Sequence, residues 1–156
     1  MISSRKIITP DKALIRLEEL CARAEHCSYE IMRKLRDWGI SSGDADAILM
    51  SLRERRFVDD SRFASSFVRD RYRYARWGRI KIRMQLRAKH IAAEIIEEAI
   101  AGIDEDEYRA ILTALVKAKA RTFADPTAYE SRTKIFRFAL NRGFESSEIS
   151  CCIAKI

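Results

Sequence analysis

Glycine and proline are scarce in this chain. Its 156 residues hold five glycines and two prolines, too few turn-formers for a many-stranded sandwich or barrel. Histidine is scarcer still: His26 beside Cys27, and the isolated His90, offer no paired ligand spacing, so a zinc site needing about four ligands cannot be assembled. The cysteines Cys21, Cys27, Cys151 and Cys152 form no C-x-x-C pair, and the adjacent Cys151 and Cys152 are badly placed for a structural disulfide with each other. They read as reduced thiols, which points to the cytoplasm. No apolar run approaches the roughly 20 residues that cross a bilayer, and Met1 to Pro10 lacks the apolar stretch of a secretory signal, so no membrane partner is expected. A glycine-rich phosphate loop, a nucleophile elbow and an H-E-x-x-H motif are also missing, which leaves nucleotide hydrolysis and proteolysis without residues to perform them. The acid pair Asp59-Asp60 reads as helix-capping material rather than a catalytic dyad. The expectation is a protein that is not an enzyme and carries neither cofactor nor metal.

What is present is apolar material and charge, 47% and 34% of the residues respectively. That is enough for a folded domain or a few small modules. The net charge of +7 is concentrated. Between Arg69 and Lys89, nine basic residues face Asp70 alone, a local excess of +8 that leaves the remainder at −1. An acidic stretch follows, through Glu94, Glu97, Glu98, Asp104, Glu105, Asp106 and Glu107. This asymmetry suggests a polyanionic or acidic partner on one surface; a solvated face with internal ion pairs is the competing reading.

Helical periodicity runs throughout. Thr9-Pro10 is a cap followed by the one helical position where proline is welcome, ahead of Ala13, Leu14, Leu17, Leu20 and Cys21. Ser28 is read as the cap of a helix bearing Ile31, Met32, Leu35 and Trp38, ended by Gly39. Ala45, Ile48, Leu49 and Leu52 mark a third helix. Asp60 is read as the cap of a helix with Phe63, Ala64, Phe67 and Tyr74, followed by helices marked by Ile82 and Leu86, then by Ile95, Ile96, Ala99 and Ile100. Asp104 with Glu107 has the spacing of a capping box before Tyr108, Ile111, Leu112, Leu115 and Val116. Asp125-Pro126 repeats the cap-and-proline signal before Tyr129, Phe136, Ala139 and Leu140, and Ile149 with Ile153 lies on the last helix. The phrases ending at Gly39-Ile40, His90-Ile91 and Gly143-Phe144 recur 51 and 53 residues apart, which indicates tandem three-helix units. The expected fold is all-α: three tandem three-helix repeat units, at residues 1–56, 57–103 and 104–156, in an elongated, curved helical array whose unit interfaces supply much of the stability.

At about 100° per residue, the helix after Asp60 places Arg62, Arg69, Arg73 and Arg76 opposite its apolar arc. Arg71 projects into that arc and is expected to pair with an acid such as Asp59 or Asp60 rather than contact a partner. Arg79, Arg83 and Arg87 form a second stripe at intervals of four. Tyr72, Tyr74 and Trp77 interleave with these arginines, a composition suited to holding phosphates and stacking on bases. Tyr74 is assigned to the core, whereas Tyr72 and Trp77 stay open between core and contact. The candidate partner- or nucleic-acid-binding set is Arg69, Tyr72, Arg73, Arg76, Arg79, Lys81, Arg83 and Arg87.

The phrase Phe57-Val58-Asp59-Asp60-Ser61-Arg62-Phe63-Ala64, followed by Arg71, Gly78-Arg79-Ile80-Lys81-Ile82 and Leu86 to Ile91, resembles the signature of the RecX family of bacterial recombinase regulators. Ser28-Tyr29-Glu30 with Leu35 to Gly39 resembles that family's first unit, and Lys134 to Phe144 its third. The resemblance implies a non-enzymatic modulator, made of three three-helix units, that binds the RecA recombinase within the groove of its DNA filament and suppresses ATP hydrolysis, strand exchange and coprotease activity. His90 stands where the family usually carries glycine. Histidine adopts the left-handed conformation less readily, so a reshaped turn is expected there. The partners implied are the RecA filament and single- or double-stranded DNA, with the protein as a monomer. A direct DNA-binding module of helix-turn-helix type remains as the alternative, as does a scaffold whose arginines are merely solvated.

Overall fold

A computed structural model describes residues 8–156, so the first residues of the N-terminal extension, and most of the segment read for a leader, lie outside the described residues. Nine α-helices and no strands occur among the described residues: α1 Pro10–Arg23, α2 Ser28–Asp37, α3 Ser42–Glu54, α4 Asp60–Arg73, α5 Arg79–Ala88, α6 Ala93–Ala101, α7 Glu105–Ala120, α8 Tyr129–Asn141 and α9 Ser146–Ile153. None is long and apolar enough to cross a membrane.

The helices pack in trios. Within the first, α3 lies against α1 and α2; within the second, α4, α5 and α6 touch pairwise, as do α7, α8 and α9 in the third. The second helix of each trio closes in the same way. Gly39, His90 and Gly143 all take positive φ, and the next residue's N–H reaches back to the helix: Ile40 to the Leu35 carbonyl at 3.0 Å, Ile91 to Leu86 at 3.2 Å and Phe144 to Ala139 at 3.4 Å. These back-bonds satisfy carbonyls that a helix end otherwise leaves orphaned. The turn at His90 is therefore not reshaped. Its imidazole stacks on Tyr29 at 4.3 Å between centroids, a contact that offsets the cost of a left-handed histidine.

Two apolar cores form rather than three. One gathers Ala13, Leu17, Ile31, Leu35, Ala45, Ile48, Leu52 and Val58 from the first trio. The other runs without a break from Phe63 to Ile153 and takes in Cys27 from the start of α2. Contact between α4 and α7 joins the second and third trios. The first trio instead meets the second largely through polar groups. Asp60 accepts from the backbone N–H and hydroxyl of Ser28 at 2.8 and 3.0 Å, Arg62 binds Glu25 at 2.6 Å, and Lys89 approaches Glu30 at 3.7 Å.

Several local expectations are corrected here. Asp59, not Asp60, caps α4 by accepting from the Arg62 N–H; Asp60 sits one residue inside the helix because Ser28 claims its carboxylate. Cys27 rather than Ser28 occupies the cap position of α2. Asp125 accepts from Thr127 within a turn, and α8 starts only at Tyr129 behind Ala128. Tyr74 is 80% exposed and Tyr72 3%: α4 ends at Arg73, which turns Tyr74 outward, while Tyr72 lies by the end of α6 and its hydroxyl reaches Glu107 of α7. Arg71 pairs with neither Asp59 nor Asp60. It lies near the other end of the helix, about 16 Å away along the axis, and its guanidinium rests over the rings of Phe67 and Trp77 at 4.5 and 5.1 Å, a cation–π arrangement in place of an ion pair.

All four cysteines are free. Burial pushes the Cys27 thiol up to about 11, so almost none of it is thiolate at pH 8. A thiol reagent at that pH is expected to modify exposed Cys151 rapidly and Cys27 only after unfolding; mass spectrometry of partially labelled protein checks the order.

Candidate partner-binding surface

The basic segment runs from the last turns of α4 through α5 and splits into two groups of side chains. Arg73, Arg79 and Arg83 are satisfied internally. Arg73 holds Glu107 at the start of α7 with Nε–Oε1 at 2.7 Å and Nη2–Oε2 at 3.2 Å. The same glutamate accepts from the Tyr72 hydroxyl at 3.2 Å; burial, then the nearby Glu107 charge, raise the Tyr72 pKa. Arg83 makes a two-point contact with Glu97 of α6 at 2.9 and 3.1 Å, and the hydrogen bond from Arg83 draws the Glu97 carboxyl below its usual range. Arg79 is the most enclosed. Its side chain is 12% exposed, binds both Glu105 and Glu145 and lies 3.9 Å over the ring of Tyr108.

Tyr108 has no exposed surface. Its oxygen accepts from the Arg79 backbone N–H at 3.1 Å and donates to Glu145 at 2.8 Å. Glu97, Glu105 and Glu107 of the acidic stretch thus pair with the basic one, and two of the three arginines do so across the boundary between the second and third trios. Such two-point guanidinium–carboxylate contacts fix geometry as well as charge.

Arg69, Arg76 and Arg87 are exposed and meet no carboxylate within ion-pair distance among the described residues. Arg76 takes positive φ in the turn between α4 and α5. Lys81 also lacks a carboxylate there, and its ammonium lies 4.5 Å from the Trp77 ring centre. The expected set is therefore not one free ridge. Arg69, Arg76, Lys81 and Arg87 have no carboxylate within ion-pair distance among the described residues, Arg73, Arg79 and Arg83 join helices through theirs, and Tyr72 is buried.

The centre of α5's outward face is apolar. Ile82 and Leu86 have no exposed surface, whereas Ile80 is 43% and Met84 62% exposed. At about 100° per residue, Ile80 and Met84 lie side by side opposite the buried pair, with Arg83 and Arg87 on one flank and Lys81 on the other. The four-residue spacing of the arginines concealed this. Projecting the whole of α5, rather than its charged positions alone, would have revealed it.

No group of histidine, cysteine or acidic residues that could hold a metal occurs among the described residues.

These features define an all-helical protein of three-helix units whose middle unit exposes Arg69, Arg76 and Arg87 together with the apolar side chains of Ile80 and Met84. A family model described as "RecX, second three-helix domain" matches residues 59–100. The chain is 32% identical over 146 residues to "Regulatory protein RecX" of Chromohalobacter salexigens, covering 94% of this chain and 91% of that one. It is 32% identical over 137 residues to the protein of the same name from Vibrio parahaemolyticus, covering 87% and 86%. The chain belongs to the RecX family of regulatory proteins. Its fold matches the crystal structure of RecX from Lactobacillus salivarius with a TM-score of 0.83 at 22% identity, over 94% of this chain and 95% of that one. A second RecX crystal structure matches with a TM-score of 0.80.

Proposed function

We propose that this protein is a non-enzymatic, monomeric, cytoplasmic regulator that binds the RecA recombinase on its DNA filament and lowers its ATPase, strand-exchange and coprotease activities. The observation that carries this reading is membership of the RecX family over nearly the whole chain. Three units, at residues 1–56, 57–103 and 104–156, follow the filament, and Arg69, Arg76, Lys81 and Arg87 of the middle unit face it. Their unpaired charge speeds and orients docking on an acidic or phosphate-lined groove. Arg73, Arg79 and Arg83 contribute by holding that surface in shape.

A helix-turn-helix reading is less well supported. In that arrangement the last helix of the trio enters the major groove, yet α6 exposes Glu94, Glu97 and Glu98 and contains no lysine or arginine. Three carboxylates against the phosphates would oppose entry.

Adding the purified protein to RecA with single-stranded DNA and ATP is expected to lower hydrolysis in a concentration-dependent way, and reversing Arg69, Arg76 and Arg87 to glutamate together is expected to weaken this by about 10-fold or more. Unchanged turnover over a broad concentration range overturns the reading. Tight binding to bare duplex with sequence preference, falling about 100-fold between 50 and 200 mM salt, would favour the helix-turn-helix alternative.

A further inference from the structure

We infer that the outward ridge of α5, Ile80 and Met84 with Arg87 and Lys81 beside them, is a docking site for protein, and that its occupant is an acidic amphipathic segment of the partner. This deepens the proposed function and rests on it, because it divides the basic unit between protein and nucleic acid.

Three observations carry it. First, Ile80 and Met84 are turned to solvent one helical turn apart, at 43% and 62% exposure, on a helix whose opposite residues are fully buried, so the ridge is not a frayed edge of the core. Second, the ridge is held rigidly at its start. The Gly78 N–H donates to the Arg142 carbonyl at 2.7 Å and the Ile80 N–H to Gly143 at 3.0 Å, which pins the first turn of α5 to the end of α8, where Leu140 is 42% exposed. A preorganised apolar surface loses little entropy on docking.

Third, the charges beside the ridge discriminate between partners. Arg87 is exposed and has no carboxylate within ion-pair distance among the described residues, whereas neighbouring Arg83 makes a direct pair with Glu97. Phosphates have nothing to offer Ile80 and Met84 and would lose water against them without gaining donors. A second copy would bring like charges together. A segment that places apolar side chains on Ile80 and Met84 and carboxylates on Arg87 and Lys81 satisfies both kinds of group, with apolar anchors at the centre and charge at the rim.

The test is co-sedimentation with RecA filaments assembled on single-stranded DNA, run in parallel with the DNA alone. The double substitution Ile80→Gln with Met84→Gln is compared with a control of similar exposure on the first trio, Ile15→Gln with Met50→Gln. The ridge variant is expected to lose affinity for the filament by about 10-fold or more while DNA binding and the thermal melt stay unchanged, and the control is expected to bind as the wild type does. Met84→Glu alone is expected to act in the same direction and serves if the double variant melts early. Equal filament binding by wild type and ridge variants overturns the docking site and leaves the proposed function standing. Parallel loss of DNA binding, or equal loss in the control, also overturns it. Failure of the wild type to sediment with the filament overturns both.

Discussion

Replacing Gly78 with alanine is expected to destabilise the protein by about 3–5 kcal/mol, read as a lower urea midpoint in a circular-dichroism titration. A Cβ built on Gly78 falls 2.2 Å from the carbonyl carbon and oxygen of Gly143 and 2.3 Å from the Phe144 nitrogen. These are backbone atoms, so no side-chain rotation relieves the clash. The same residues carry the hydrogen bonds from Gly78 to Arg142 and from Ile80 to Gly143, and the Arg142 guanidinium reinforces them by donating to the Ala75 carbonyl at 3.2 Å. An alanine therefore pushes apart two segments of the chain and strikes the Gly143 carbonyl oxygen that accepts from Ile80. Gly43 provides the comparison: it lies at the start of α3 with nothing within 4 Å of its added Cβ. Gly43→Ala should leave the midpoint unchanged or raise it slightly. Equal effects at the two positions would show that the close approach between the second and third trios is not a source of stability.

Glu145→Ala is expected to cost about 2–4 kcal/mol in the same titration. Glu145 accepts from both the buried Tyr108 hydroxyl and the enclosed Arg79 guanidinium. Its removal leaves the Tyr108 hydroxyl without an acceptor and Arg79 with Glu105 alone. The burial of Tyr108, whose hydroxyl loses its acceptor, is what makes the loss large. The Arg83–Glu97 pair has comparable lengths but lies in solvent, where water and salt screen it. Glu97→Ala should leave the midpoint where it is. If the two glutamates behave alike, burial is not what distinguishes the Arg79 cluster from an ordinary surface pair. Tyr108→Phe offers an independent check, because it removes the same hydroxyl while retaining the ring against Phe144 at 5.3 Å.

These effects bear on how the basic unit is used. Its excess charge divides into a part paired with carboxylates, chiefly across the boundary between the second and third trios, and a part without such a pair. The first part is consumed mainly where α4 and α5 meet α7 and the start of α9, so three acids of the stretch that follows the basic one in sequence, Glu97, Glu105 and Glu107, pair with it in space. The second part, Arg69, Arg76, Lys81 and Arg87, is smaller than the local excess of +8 suggests. On the proposed reading, so few charges need apolar contact for lasting attachment, which Ile80 with Met84 would supply.

The all-helical class, the nine helices and the recurrence of three similar turns were legible from the chain alone. Helical periodicity and capping are local: three or four residues suffice to decide whether Leu35, Leu86 or Ala139 faces inward and whether the turn after it must become left-handed. Local rules failed where a neighbour from elsewhere in the sequence made the choice. Asp60 was taken from capping by Ser28, 32 residues earlier; the buried Tyr72 hydroxyl found Glu107 of the next trio; Arg71 found aromatic rings instead of acids. The allocation of the arginines also belonged to tertiary structure, since no property of Arg79 or Arg87 in isolation shows that one is enclosed by Glu105 and Glu145 while the other reaches solvent. Periodicity along one helix determines which side faces in, but pairing between charges depends on distances across helices, and those distances exist only once the trios have packed.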